Sequence, residues 1–117
     1  MISKELLSEV LGKYISKVEE SDNIIEYITV DTRSGFETYG DAEREEINSC
    51  ELAHRVINWI ECQDYWIARS HKNIYRLLQS TVKGDIEVYS IDTKNSEDVP
   101  FMCGQWILDN KDKTNEQ

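Results

Sequence analysis

Long hydrophobic segments are missing from this sequence of 117 residues. No apolar run approaches the roughly 20 residues that a helix needs to cross a bilayer. Residues 1–5 also lack the basic start and apolar centre that are typical of a signal peptide. These absences argue against a membrane protein and against a secreted one, so we expect a cytoplasmic location.

Cysteine is scarce as well. Cys50, Cys62 and Cys103 form an odd-numbered set with wide spacings and no CxxC pair. This pattern favours reduced thiols over a disulfide framework, which agrees with the expected compartment.

Positive charge is the third deficit. Thirteen Lys and Arg residues face 23 Asp and Glu residues, which gives a formal net charge of −10 at pH 7. Such a charge repels nucleic acids and anionic membrane surfaces, and we expect neither as a direct ligand. It either keeps a small protein in solution or favours a protein partner with a basic surface.

Recognisable catalytic motifs are also absent. The sequence contains no GxxxxGK[ST] or GxGxxG loop for phosphates, no HExxH zinc motif and no GxSxG nucleophile. We therefore predict that the protein is not an enzyme.

The periodicity of apolar residues predicts one domain over residues 1–117. Helical spacing predicts helices at 3–11, 49–62 and 97–109, and period-two runs predict strands at 14–20, 24–30, 65–70, 74–82 and 85–92. Short turns between strands favour antiparallel pairing. We predict an α+β fold of two layers, with an antiparallel sheet of about five strands, three amphipathic helices and the order αββαβββα. A helix followed by two strands occurs twice, without a convincing sequence repeat.

Two polar segments interrupt this pattern. Residues 31–46 are predicted to form a long acidic loop, and residues 110–117 a frayed C-terminal tail. Loops of that length are uncommon unless they are functional or mobile, so 31–46 is either a binding loop or a disordered excursion. Phe36 and Tyr39 favour some order, because a fully solvated loop gains nothing from aromatic rings.

The central predicted helix has one apolar and one polar face. Leu52, Val56 and Ile60 belong to its apolar stripe, and the opposite face is polar and available for contacts. Trp59 and Trp106 belong to or flank apolar stripes, so we expect both to be at least partly buried.

Cys50 and His54 are the strongest candidates for chemistry, because they lie four residues apart on this helix. Structural zinc draws on more ligand pairs than this one, and the same two residues could otherwise form a nucleophile and its base. The carboxylates of 41–46 could gather Mg²⁺ or Ca²⁺, but the loop does not match the EF-hand pattern. We predict no metal and no cofactor.

A basic stretch stands out against the acidic average. Between residues 65 and 84 the basic side chains are Arg69, Lys72, Arg76 and Lys83. They could form a nucleic-acid face, but four cations in so acidic a chain make a weak electrostatic footprint. We therefore interpret these basic residues as solvent-exposed positions on strand faces.

Three segments carry a resemblance. Residues 5–12, residues 51–54 with Trp59, and residues 106–108 resemble segments of small uncharacterised proteins encoded by bacterial prophages and plasmids. The resembling positions are mostly apolar core positions, with no catalytic motif among them. The resemblance implies an accessory protein of a mobile element.

We accordingly expect a small acidic protein-binding module that inhibits or adapts a basic, nucleic-acid-binding partner, as anti-defence and toxin-immunity proteins do. Its predicted binding surface consists of Phe36, Glu37, Tyr39, Asp41, Glu43, Glu45, Glu46, Glu51, Arg55, Asn58 and Glu61. Two alternatives stay open. One is a small enzyme or ligand-binding domain that uses Cys50 and His54, and the other is a homodimeric structural subunit.

Overall fold

The computed structural model describes residues 2–30 and 42–115. In chain order the elements are α1 (Lys4–Leu11), β1 (Ile15–Ser21), β2 (Ile24–Val30), β3 (Ala42–Asn48), α2 (Ser49–Cys62), β4 (Tyr65–His71), β5 (Ile74–Thr81), β6 (Gly84–Asp92), a short 3₁₀ turn (Ser96–Asp98) and α3 (Val99–Asn115). The chain divides into two compact units, Met1–Leu52 and Ala53–Gln117.

The first unit begins with a helix whose two ends are fixed by local sequence. The Ser3 hydroxyl accepts a hydrogen bond from the Leu6 amide at 3.1 Å, and so satisfies one of the free donors at the helix start. Gly12 ends the helix with φ at 66°, a conformation in which glycine avoids the steric cost of a Cβ atom. Leu6 and Leu7 are fully buried.

The first sheet is an antiparallel meander in the order β1-β2-β3. Its buried face carries Ile15, Ile25, Tyr27 and Ile47. The prediction of a loop over 31–46 is wrong for residues 42–46, which belong to β3. Glutamate is depleted in strands, and Ile47 is the one apolar side chain of β3 known to be buried, so the pairing with β2 overrides a weak local signal.

The boundary between the two units falls within α2, after Leu52, and the second sheet belongs to the second unit. The Asn48 side chain caps α2 by accepting a hydrogen bond from the Cys50 amide at 2.8 Å. In the predicted apolar stripe Leu52, Val56 and Ile60 are fully buried. After the helix, Asp64 adopts a left-handed φ of 67° before the chain enters β4.

The second sheet is also an antiparallel meander, in the order β4-β5-β6. Leu77 lies at its centre, fully buried between Ile67 and Tyr89 on the neighbouring strands. Trp106 of α3 stacks on Tyr89 with ring centroids 5.9 Å apart. Trp59 and Trp106 are both half-buried, which confirms the expectation for these two residues.

The α+β class and the three helices are confirmed, but the single sheet of about five strands is wrong. The described residues form two three-stranded sheets, and the order is αβββαβββα. A helix followed by a three-stranded meander therefore occurs twice. The last helix extends to Asn115, beyond the predicted helix end at residue 109.

Candidate interaction surfaces

The predicted binding surface falls on three parts of the chain. Phe36, Glu37, Tyr39 and Asp41 lie outside the described residues. The polar residues of α2 that were predicted to face outward are all exposed, namely Glu51, Arg55, Asn58 and Glu61. The remaining three, all glutamates, belong to β3.

The β3 glutamates do not form one patch, because successive side chains of a strand point to opposite faces. Glu43 and Glu45 pair with Thr29 and Tyr27 and share their face of the sheet. Glu46 pairs with Glu26 on the other face. The contiguous acidic surface expected from sequence is thus divided by the strand geometry.

Glu45 has a structural partner within the first unit. The Lys13 ammonium, just after α1, donates a hydrogen bond to its Oε2 atom at 2.9 Å. This hydrogen bond from Lys13 holds the pKa of the Glu45 carboxyl below its usual range. The pair connects the end of the first helix to β3, so Glu45 contributes to the fold.

The outer face of the first sheet carries a row of three glutamates that we call the glutamate row. Glu19 on β1 lies opposite Glu26 on β2, and Glu26 lies opposite Glu46 on β3. Hence the three carboxylates, one from each strand, lie in a line across the sheet. Like charges directly opposite each other on neighbouring strands are destabilising.

Basic residues compensate only one side of the glutamate row. The Arg44 guanidinium lies 3.1 Å from a Glu26 carboxylate oxygen and 3.6 Å from one of Glu19. Lys17 is hydrogen-bonded to Glu19 at 2.9 Å, and this bond lowers the pKa of the Glu19 carboxyl. Glu46 is exposed and has no ion pair with any described residue.

The predicted surface omitted Glu19 and Glu26, although the sequence contained the signal for them. The two-residue turn Asp22–Asn23 fixes the register of the first hairpin, so Glu19 must pair with Glu26 once the turn is located. The third member, Glu46, could not be added because residues 42–46 were assigned to a loop.

The Cys50 and His54 hypothesis gains no further ligands. Both residues are exposed on α2, and the described part of the chain contains no group of three His, Cys, Asp or Glu residues suited to a metal ion. Cys103 is buried in α3, and burial raises the pKa of its thiol to about 12. Such a thiol stays protonated and packs as a small apolar group.

The second unit contains an apolar groove of about 350 Å³. Its walls come from α2, β4, β5 and the start of α3, and include Ile60, Glu61, Trp66, Ile67, Tyr75 and Pro100. This volume is within the range of sites that hold small ligands or single side chains. Sequence reasoning missed the groove because its walls come from segments distant in sequence.

The basic residues of this unit are dispersed. Arg69 and Arg76 lie on opposite faces of the second sheet, since Arg69 pairs with Tyr75 and Arg76 with Ala68. Arg76 contacts Glu87 at 3.4 Å, whereas the Arg69 guanidinium lies over the Tyr75 ring, 5.6 Å from its centroid. This dispersal disfavours a single nucleic-acid face.

No protein-family model, curated protein or solved structure matches the chain. The resemblance to prophage and plasmid proteins therefore stays a prediction. Within the described ranges, no helix is both long and apolar enough to cross a membrane.

Proposed function

We propose that this chain is a small acidic protein-binding module that docks on a basic surface of a partner protein through its glutamate row. The observation that supports the proposal is the direct opposition of Glu19, Glu26 and Glu46 on one face of the first sheet, where Glu19 and Glu46 are exposed and Glu26 is half-buried. Lys17 and Arg44 compensate Glu19 and Glu26, but Glu46 has no ion pair with a described residue, and a basic partner would neutralise its charge on binding.

The surroundings of the glutamate row suit such an interface. Ile24 and Ile28 lie on the same face of β2 as Glu26, and both are half-buried. Apolar contacts at the centre of an interface supply most of its affinity, while charges speed association and exclude wrong partners. The strand β2 therefore places one apolar side chain on each side of Glu26.

The proposed role is that of an inhibitor or adaptor from a mobile element. Proteins that bind nucleic acids carry clustered Lys and Arg residues, which are the surfaces an acidic module can cover. Covering such a surface blocks access of the nucleic acid. The net charge of −10 and the resemblance of three segments to prophage and plasmid proteins support this role.

The experiment is an affinity capture from a lysate of the native host, followed by association kinetics with the captured protein. One variant changes Glu19, Glu26 and Glu46 to Gln. The matched control carries Glu9→Gln, Asp85→Asn and Glu97→Gln, three exposed positions outside the row. Both variants have the same net charge, so the long-range field of the protein as a whole changes equally.

We expect the row variant to associate more slowly than the control and with a weaker dependence on salt, because charges at an interface act chiefly on the association rate. Equal rates and equal salt slopes for the two variants would exclude the glutamate row as the binding surface. Circular dichroism melts of all three proteins separate this result from a loss of folding.

A further inference from the structure

Strand β4 has one edge without a strand partner in the described part of the chain, because it pairs only with β5. The Ser80 amide donates to the Asp64 carbonyl at 2.8 Å. This bond shows which opposite residue pairs of β4 and β5 are hydrogen-bonded and which are not. In an antiparallel pair the hydrogen-bonded residues alternate with residues whose backbone groups point away. The amides and carbonyls of Tyr65, Ile67 and Arg69 therefore point away from β5.

The apolar groove adjoins this edge. Ile67 belongs to β4 and lines the groove, together with Tyr75 on the neighbouring strand. The side chains of Ile67 and Arg69 share one face of the sheet, since both positions belong to the set that pairs with Tyr75 and Leu77. A strand added along β4 would place its own side chains on that face beside them.

Basic residues lie beside the groove at the C-terminal end of β4. Arg69 is exposed, and its guanidinium lies over the Tyr75 ring that lines the groove. Lys72 follows in the turn after β4 and is also exposed. A carboxylate placed beside Arg69 would meet this positive end.

We propose that β4 and the groove bind an extended segment of a partner protein by adding it as a fourth strand to the second sheet. The segment inserts an apolar or aromatic side chain into the groove next to Ile67, and it places an acidic side chain two positions away beside Arg69. The spacing of two follows from the alternation of side chains along a strand. This site uses none of the residues of the glutamate row, so it does not depend on the function proposed above.

A peptide strand suits this place better than a small apolar ligand. The outward backbone groups of Tyr65, Ile67 and Arg69 need hydrogen-bond partners at strand spacing, and an extended peptide supplies them in register. A small apolar molecule would fill the groove but would supply neither hydrogen-bond partners for the β4 edge nor a carboxylate for Arg69.

The test uses labelled synthetic peptides of about eight residues, the length of an ordinary strand. Each contains Thr and Val with a single Phe, and an Asp either two positions after the Phe or two positions before it. The two orders allow parallel and antiparallel addition. Companion peptides carry Lys in place of Asp. Fluorescence anisotropy gives the dissociation constants for the full chain.

We expect one of the Asp peptides to bind more tightly than its Lys companion. Arg69→Glu should reverse this preference, and each peptide should change its dissociation constant about fivefold to tenfold, as expected for a partly exposed charge pair that turns from attraction to repulsion. Lys83→Glu is the matched control, because it makes the same charge change in the turn before β6 and should leave the preference intact. A reversed preference cannot result from partial unfolding.

A second measurement examines the backbone. Binding should slow hydrogen exchange at the amides of Ile67 and Arg69, while Trp66, whose amide points toward β5, should change little. Ile67→Pro removes an outward donor without removing a ladder hydrogen bond, and it should abolish peptide binding while the far-ultraviolet circular dichroism stays unchanged.

Three results would overturn the proposal. The first is no binding of either Asp peptide at millimolar concentration. The second is a peptide preference that Arg69→Glu leaves unchanged. The third is a dimer of the chain that Ile67→Pro dissociates, because the β4 edge would then bind a second copy rather than a partner segment.

Discussion

Glu26 and Glu46 lie directly opposite each other on β2 and β3, in a pair whose backbones do not hydrogen-bond to each other. The Ser49 amide donates to the Asn23 carbonyl at 2.8 Å, and this bond sets the alternation of hydrogen-bonded and non-hydrogen-bonded pairs between β2 and β3. In such pairs the Cα atoms are only about 4.5 Å apart, and the side chains are closer than at the alternate positions. The two carboxylates therefore occupy the least favourable register position for like charges.

Glu46→Lys should raise the stability of the protein. The substitution turns a repulsive cross-strand pair into an attractive one, and we expect a gain in the free energy of unfolding of about 0.5–1 kcal/mol in low salt. Glu43→Lys is the control, because it makes the same charge change on the same strand but lies opposite Thr29. Urea denaturation of both variants measures the difference. Equal effects would mean that the opposition of Glu26 and Glu46 costs nothing.

The Lys13–Glu45 pair should make stability depend on acid. The pKa of Glu45 is lowered in the folded state from an ordinary value of 4.5, so its contribution is fully present above that pH. It is lost as the pH falls through the lower folded value. Glu45→Gln should thus lower the melting temperature at pH 7 and have a smaller effect near pH 3, which lies below the ordinary value. Glu43→Gln, which removes a charge from the same face, should show no such difference between the two pH values.

Leu77 and Leu78 offer a matched pair for the core of the second sheet. They are neighbours on β5 but face opposite sides, and Leu77 is fully buried whereas Leu78 is half-buried. Leu77→Ala should cost about 2–5 kcal/mol of unfolding free energy, and Leu78→Ala roughly 1 kcal/mol or less. Chemical denaturation of the two variants tests this order. A larger loss for Leu78→Ala would show that the opposite face holds the main core.

The three cysteines should differ sharply in reactivity. Cys50 and Cys62 are exposed, whereas Cys103 is buried with a thiol pKa of about 12. Because the thiolate is the reactive form, iodoacetamide at pH 8 should modify the first two quickly and Cys103 only through unfolding. Mass spectrometry of the native protein over time measures this, with a urea-unfolded sample as the reference. Rapid triple labelling of the native protein would contradict the buried position of Cys103.

Sequence patterns predicted the helices well because their signals are local. Ser3 and Asn48, whose residue types favour helix starts, cap α1 and α2, and the stripe of Leu52, Val56 and Ile60 is buried as its spacing requires. The hairpins were also predictable, since Asp22–Asn23 and Lys72–Asn73 are short polar turns between runs of β-branched residues.

The division into two sheets was not predictable from these signals. Whether neighbouring strands join one sheet or two depends on pairing between distant segments, which periodicity does not report. The strand β3 shows the same difficulty, because Glu43, Glu45 and Glu46 give it the composition of a loop. Only its partner β2 makes the strand evident.

For the candidate surfaces too, sequence patterns predicted the local features and missed those that depend on distant segments. The exposed face of α2 was predicted because a helix projects residues at a fixed spacing. The glutamate row needs the register of three strands, and the groove needs four elements brought together. Neither can be derived from residue type alone.

Every pair of neighbouring strands among the described residues is also consecutive in the chain, and three of the four connections are two-residue turns, Asp22–Asn23, Lys72–Asn73 and Val82–Lys83. The search for native strand partners is therefore short, which is the property that makes small proteins fold quickly. During synthesis all the strands of the first sheet emerge before any strand of the second. The first sheet can therefore form on the ribosome while the second is still being translated, so few unpaired strands are exposed to other chains at any one time.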